Sequence, residues 1–268
     1  MRTTTRPALP PRSLRQSGLL VSVRSLDEYR SLADTQVDWI DVKEPNHGSL
    51  GRPRLEDALA IQHSVFSKSR DGLHFSVALG DLEQLSDQDF EKYCQALGSE
   101  TYIKVGLAGA SAQSLWQTRL LTLSKLLVPS HRLILVHYAD AEIANSPTWD
   151  EVLHLGTTLE CSHILVDTWR KDGRSLVDIC SQELLRHMAA HAHAMGLELA
   201  MSGSLRLADI PILVECGASW IGLRTALCLE ESRTSQICPV RVAEALQILA
   251  QANQLHSSRT IAEDVIRK

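Results

Sequence analysis

Three lysines and two aspartates stand at the ends of short apolar runs. Asp41 and Lys43 lie in "WIDVKEPNHGSLG" (39–51), Lys104 in "YIKV" (102–105), and Asp167 and Lys171 in "DTWRKDGRSL" (167–176). Successive side chains alternate across a strand, so Asp41 and Lys43 project to one side of the backbone and Val42 to the other. Each group has a plain structural alternative: Asp41 and Lys43 as an interior ion pair, Lys104 as a lysine with its stem buried and its head in water. Gathered in one cleft, however, so many charges are costly to bury unless they are used. An amine that is desolvated, or close to another cation, loses part of its proton at neutral pH and attacks an aldehyde or ketone to give a Schiff base. The protonated imine is an electron sink, so aldol addition and elimination follow once a second lysine or an aspartate moves protons.

A scaffold must bring these residues together. From residue 19 onward eight β-rich runs alternate with helical patterns: "LLVSV" (19–23), "WIDV" (39–42), "HFSVA" (74–78), "YIKV" (102–105), "LILVHY" (133–138), "HILV" (163–166), "LELAM" (197–201) and "WIGL" (220–223). Between them lie helix-period segments. Leu184, Met188, Ala192 and Met195 trace one face before Gly196, and Val242, Ala245, Leu246 and Leu249 another. Eight βα units in 268 residues predict an α/β fold, a single (β/α)8 TIM barrel. An open doubly wound sheet is the competitor, but no G-x-G-x-x-G or P-loop follows a strand.

A barrel builds its active site at the carboxyl ends of its strands. That rim collects Asp41, Lys43, Lys104, Asp167 and Lys171, with His137 and Asp140 after the fifth run. His137 is open to two readings, a substrate contact or a packed histidine. The loops after the seventh and eighth strands often hold phosphate on backbone N–H groups. "SGS" (Ser202, Gly203, Ser204) and "GLR" (Gly222 to Arg224) fit that use, with Arg224 expected to fork onto phosphate oxygens.

Composition narrows the class. A hydrophobic share of 44% and a net charge of −5 suit a globular protein with no general pull towards nucleic acid or anionic membrane. No run approaches the ~18 apolar residues of a membrane span, and no secretory signal opens the chain, so the expected setting is cytoplasmic. The six cysteines include no C-x-x-C pair and read as reduced thiols, with Cys228 a small core hydrophobe. His187 and His191 are spaced i, i+4, but Met188 and Ala190 occupy the intervening places of an H-E-x-x-H motif, so a solvated helix face is expected and no metal. Residues 1–17 read as a flexible basic arm ahead of a catalytic barrel over 18–268, because 1–16 hold three prolines, four arginines and no acid.

The segments "IDVKEPNHGSLG", "YIKVGLAG", "YAD" (138–140), "DTWRKDGRSL", "SGSL" and "IGLRTALC" together resemble the (5-formylfuran-3-yl)methyl phosphate synthase family, which makes the furan precursor of methanofuran. The similarity runs from about Leu19 to Cys228, with the same order and spacing. It implies a lyase that joins two molecules of glyceraldehyde 3-phosphate, with loss of one phosphate and of water, to give 4-(hydroxymethyl)-2-furancarboxaldehyde phosphate. No cofactor is implied. Carried over by position, the Schiff-base lysine falls on Lys43 and the proton-accepting lysine on Lys104, while Asp41, Asp167 and Lys171 assist proton transfer or orient intermediates. Lys104 would also repel charge on Lys43, and Asp41 would steady the iminium. The sequence departs from the family pattern in its arm, in Trp169 and Arg170, and in Thr225 after the arginine. A different class I aldolase of a phosphorylated sugar and a non-catalytic sugar-phosphate sensor are the alternatives. A homo-oligomer is compatible with either.

Overall fold

The computed structural model describes residues 16–67, 72–98 and 100–266. Its centre is a closed parallel barrel of eight strands: β1 Gly18–Val23, β2 Trp39–Val42, β3 His74–Asp81, β4 Thr101–Gly106, β5 Arg132–Tyr138, β6 His163–Asp167, β7 Glu198–Met201 and β8 Trp220–Leu223. All eight coincide with runs read from the sequence. Ring closure comes from β1 pairing with β8, with Leu19 opposite Ile221. The strands are rich in Val, Ile and Leu because both faces are covered, as a parallel sheet requires.

Alternation divides each strand between two layers. Ile40 and Val42 face outward into the large cluster beneath the helices, while Trp39 belongs to the cluster inside the barrel. The barrel floor is aromatic. Trp39 stacks on His74 at 4.9 Å and meets His163 and Trp220 edge-on at 5.0 Å each. Glu198 joins that floor, accepting from Trp220 Nε1 at 2.7 Å. Packing of this kind fills the lower barrel and leaves the chemistry to its upper half.

The outer helices follow their apolar stripes, with one shift. Helix Gln182–Ala194 buries Leu185, Met188, Ala189 and Ala192, whereas Leu184 and Met195, expected on that face, are exposed. Leu184 starts the stripe one residue too early, because its hydrophobicity does not reveal which way the first turn points. The last helix, Pro239–Ile266, buries Val242, Ala245 and Leu249 as expected. Among the described residues no helix is long and apolar enough to cross a membrane.

The expected arm lies largely outside the described residues, which begin at 16. Ser17, assigned to it, belongs to the barrel instead. Its N–H donates to Asn253 Oδ1 at 2.9 Å, its carbonyl accepts from Asn253 Nδ2 at 2.9 Å, and its hydroxyl donates to the Ala218 carbonyl at 2.6 Å. This clasp ties the start of β1 to the final helix.

Candidate active site

Strand alternation sends Trp39, Asp41 and Lys43 into the barrel in ascending order. Asp41 is fully buried and meets Lys104, 2% exposed, at 2.5 Å. Ser76 Oγ donates to Asp41 Oδ1 at 2.7 Å and Ser22 Oγ to Oδ2 at 2.9 Å. Trp39 Nε1 in turn donates to Ser76 Oγ at 3.0 Å, so the aromatic floor is hydrogen-bonded to the buried pair. Burial alone would raise the Asp41 carboxyl, but the charges of Lys104 and Lys43, with hydrogen bonds from Lys104 and Ser76, bring it below its usual range.

A second pair stands on the opposite wall. Lys171 Nζ donates to Asp167 Oδ1 at 2.8 Å and to Thr168 Oγ1 at 3.1 Å. The Asp167 carboxyl is also lowered: burial opposes this, and Lys171 and Lys43 outweigh it. Its other oxygen, Oδ2, is buried without a hydrogen-bond partner among the described residues.

Lys43 differs from both neighbouring lysines. It is 7% exposed, and its side-chain amine makes no hydrogen bond or ion pair with the described residues. Burial is the main force that lowers it from the usual 10.5 to about 7; Lys104 and Lys171 push the same way, while Asp167 and Asp41 oppose them. Asp41 is thus chiefly the partner of Lys104, and Asp167 is the carboxylate that pulls harder on Lys43. Asp41 also favours charge on Lys43, less strongly than Asp167. Strand spacing puts Asp41 and Lys43 on one face but does not set their separation from residues on other strands.

Beside Lys43 and Lys171 opens a small cleft, lined also by Ser202, Ser204, Gly222 and Thr225. Gly203 has φ 118°, and a Cβ there would fall 2.9 Å from the Thr168 nitrogen, so the turn after β7 needs glycine. Ser204 follows at φ 49° and makes no hydrogen bond with the described residues.

Arg224 lines the cleft, but its guanidinium is committed elsewhere. Nη1 donates to Glu28 Oε2 at 3.0 Å and to the Ser22 carbonyl at 2.9 Å. Nη2 donates to Glu28 Oε1 at 3.1 Å and to the Ser235 carbonyl at 3.3 Å, and Nε to the Arg233 carbonyl at 2.6 Å. All five N–H groups of an arginine are thereby engaged. The expected fork onto phosphate is therefore replaced by a fork onto Glu28, which holds β8 against the helix Leu26–Ser31.

Arg233, which no motif marks, lines the same cleft. It is half-buried in the cleft wall, donates Nη2 to the Gly48 carbonyl at 2.7 Å, and makes no ion pair with the described residues. Burial and the nearby Arg224 lower its guanidinium, and Asp167 and Glu44 oppose them. A basic residue in a polar loop gives no periodic signal, so only its place beside Lys171 singles it out.

His137 resolves to the packed reading. It faces outward against Trp149 at 5.6 Å and is pushed down to about 4 by burial. Asp140 accepts from the N–H groups of Trp169 and Arg170 at 2.7 and 2.9 Å, shaping the loop that carries Lys171. His187 lies exposed on its helix, and Cys228 is buried.

Residues 19–246 match a family model described as 4-HFC-P synthase. The chain is 30% identical over 215 residues to (5-formylfuran-3-yl)methyl phosphate synthase of Methanopyrus kandleri, covering 78% of this chain and 89% of that one. The protein of the same name from Methanocaldococcus jannaschii is 30% identical over 214 residues, with 78% and 89% covered. Among solved structures, thiamine phosphate pyrophosphorylase from Pyrococcus furiosus superposes with a TM-score of 0.58 at 9% identity, covering 90% of this chain and 98% of that one. Phosphoribosyl anthranilate isomerase from Thermus thermophilus gives 0.57 at 9% identity, covering 87% and 98%. Those two likenesses speak for the barrel alone.

Proposed function

The chain belongs to the 4-HFC-P synthase family, and from that premise we propose that it condenses two molecules of glyceraldehyde 3-phosphate through an imine on Lys43. The product is (5-formylfuran-3-yl)methyl phosphate, formed with loss of phosphate and water, for methanofuran biosynthesis. The observation that carries this reading is Lys43 itself, a buried amine lowered to about 7 and without a hydrogen-bond or ion-pair partner among the described residues, between two lysines that each have one. Such an amine is nucleophilic at neutral pH. Once the imine forms and gains a proton, Asp167, with Oδ2 unpaired, lies ready to balance the new charge. Lys104 and Asp41 form a fixed acid–base couple below it, and Lys171 completes the set at the mouth. The imine supplies the electron sink, so the scheme calls for no cofactor.

The retained phosphate is assigned to the turn of Ser202, Gly203 and Ser204, to Gly222, and to the guanidinium of Arg233. Arg224 supports that wall through Glu28. Arg233→Ala should weaken substrate binding by roughly 1.5–3 kcal/mol, the scale of one charge-assisted contact, while the melting temperature stays within a few degrees. Steady-state kinetics with a parallel melt checks this; an unchanged KM would move the phosphate elsewhere.

Incubation of the purified protein with glyceraldehyde 3-phosphate should produce a furan aldehyde chromophore, identified by mass spectrometry. An open-chain aldol product alone would assign the same imine chemistry to another class I aldolase. The pH dependence gives a further check. The neutral amine is the nucleophile, so kcat/KM should rise as pH climbs through about 7 and level off above it. An ordinary lysine would place that rise near its usual ~10.4.

A further inference from the structure

On another side of the mouth stands an acid–base pair with no role so far. Asp81 ends β3 and Tyr138 ends β5. Tyr138 Oη donates to Asp81 Oδ1 at 2.7 Å, and the Ala108 N–H donates to the same oxygen at 3.1 Å. Oδ2 makes no hydrogen bond with the described residues, and Asp81 is half-buried.

Alternation along β3 would not bring Asp81 here. His74, Ser76 and Ala78 face the interior, so an unbroken strand would send residue 81 outward with Leu79. The pairing with β4 shifts register between Ala78 and Asp81, and Gly80 sits at φ 87° within the shift. Such a bulge re-aims the next side chain, and bulges of this kind gather beside active sites. On β4 the opposing residue is Gly106, where a Cβ would overlap both Asp81 Oδ1 and Tyr138 Oη. Bulge and glycine together make room for the contact. Burial raises the Asp81 carboxyl; its two hydrogen bonds oppose this, and Glu83 and Asp167 add to it. Tyr138 pairs in register with Asp167, which in turn acts on Lys43.

Resting on the imine reading above, we propose that Asp81 is the acid that protonates the hydroxyl expelled as water, with Tyr138 as its positioning residue. In that step the electron pair of the Lys43-bound enamine moves into a new Cα=Cβ bond and regenerates the iminium. The Cβ–O bond breaks with its electrons on oxygen, and the proton from Asp81 Oδ2 completes the water molecule. Two donors on Oδ1 leave the proton to Oδ2. The resulting carboxylate regains its proton from solvent at the mouth.

Asp81→Asn keeps the acceptor on Oδ1 and removes only the acid. With glyceraldehyde 3-phosphate and borohydride, this variant should yield Lys43 adducts as abundantly as the wild type, but the condensed adducts should retain the elements of water. Furan formation should fall about 10²–10⁴-fold, the scale of a lost general acid. Tyr138→Phe keeps the carboxyl and should lose less, with the same water-retaining adducts in smaller proportion. Circular dichroism melts on both variants separate these losses from misfolding. Furan formation by Asp81→Asn within threefold of wild type, or loss of adduct formation in both folded variants, overturns the proposal. A wild-type protein that forms no Lys43 adduct overturns the imine reading, and this inference with it.

Discussion

Lys43→Ala should abolish furan formation and leave the barrel folded. Losing a covalent nucleophile costs on the order of 10⁴-fold or more in rate, and neither neighbouring lysine is placed to substitute. Lys104 would have to leave Asp41 and Lys171 would have to leave Asp167 before attacking a carbonyl. Stability responds differently. Removing a buried amine without a partner relieves its desolvation and leaves no carboxylate stranded, because Asp41 keeps Lys104, Ser22 and Ser76. The melting temperature should therefore shift by no more than about 2–4 °C, the equivalent of ~1 kcal/mol at this size. Borohydride added during turnover should fix substrate carbon on Lys43 of the wild type, located by peptide mapping. An adduct on Lys104 or Lys171 would exchange the assigned roles, and furan formed with no adduct anywhere would end the imine mechanism.

Arg224→Ala is expected to act on stability first. The pair Arg224–Glu28 is buried on both sides, with side chains 5% and 4% exposed. Breaking such a pair by deleting one partner costs about 3–5 kcal/mol, because the buried Glu28 carboxylate loses its counter-charge and keeps only the Arg24 N–H at 2.8 Å. At roughly 2–4 °C per kcal/mol, the loss should lower the melting temperature by about 6–20 °C. Replacing both members with apolar residues, as in Arg224→Met with Glu28→Leu, should recover much of it, since the stranded charge is gone. The double variant also loses the bonds to Ser22, Arg233 and Ser235, so recovery should stop short of wild type. A single variant that melts like wild type but binds substrate poorly would return Arg224 to the phosphate.

The contrast between Lys43 and Arg224 marks what a sequence discloses. The strands were legible because short apolar, β-rich runs are a local signal, and the inward course of Asp41 and Lys43 follows directly from the alternation of side chains along a strand. The rim position of Arg224 was legible for the same reason, but its partner was not. Glu28 is 196 positions away and looks like any acid in the first turn of a helix. Asp81 was hidden twice over: its alternation points the wrong way until the bulge is known, and Tyr138 lies 57 residues on. Which lysine keeps a free amine depends on distances across the barrel. No spacing along the chain encodes them.

The clasp between Ser17 and Asn253 also governs when the molecule can first exist. Its two halves are 236 residues apart, and a ribosome adding about 5–20 residues per second needs roughly 10–50 s to make the second after the first. For most of that interval, until residues 220–223 are made, β1 has β2 as a neighbour but lacks β8, so one polar edge of a nascent parallel sheet stays open. Lys43 and Lys104 are in hand early, whereas Asp167, the turn after β7 and Arg233 arrive late. A nascent chain that has not yet closed thus holds Lys43 without the burial that lowers its amine, and without the counter-charge or the proposed phosphate cradle that would direct it.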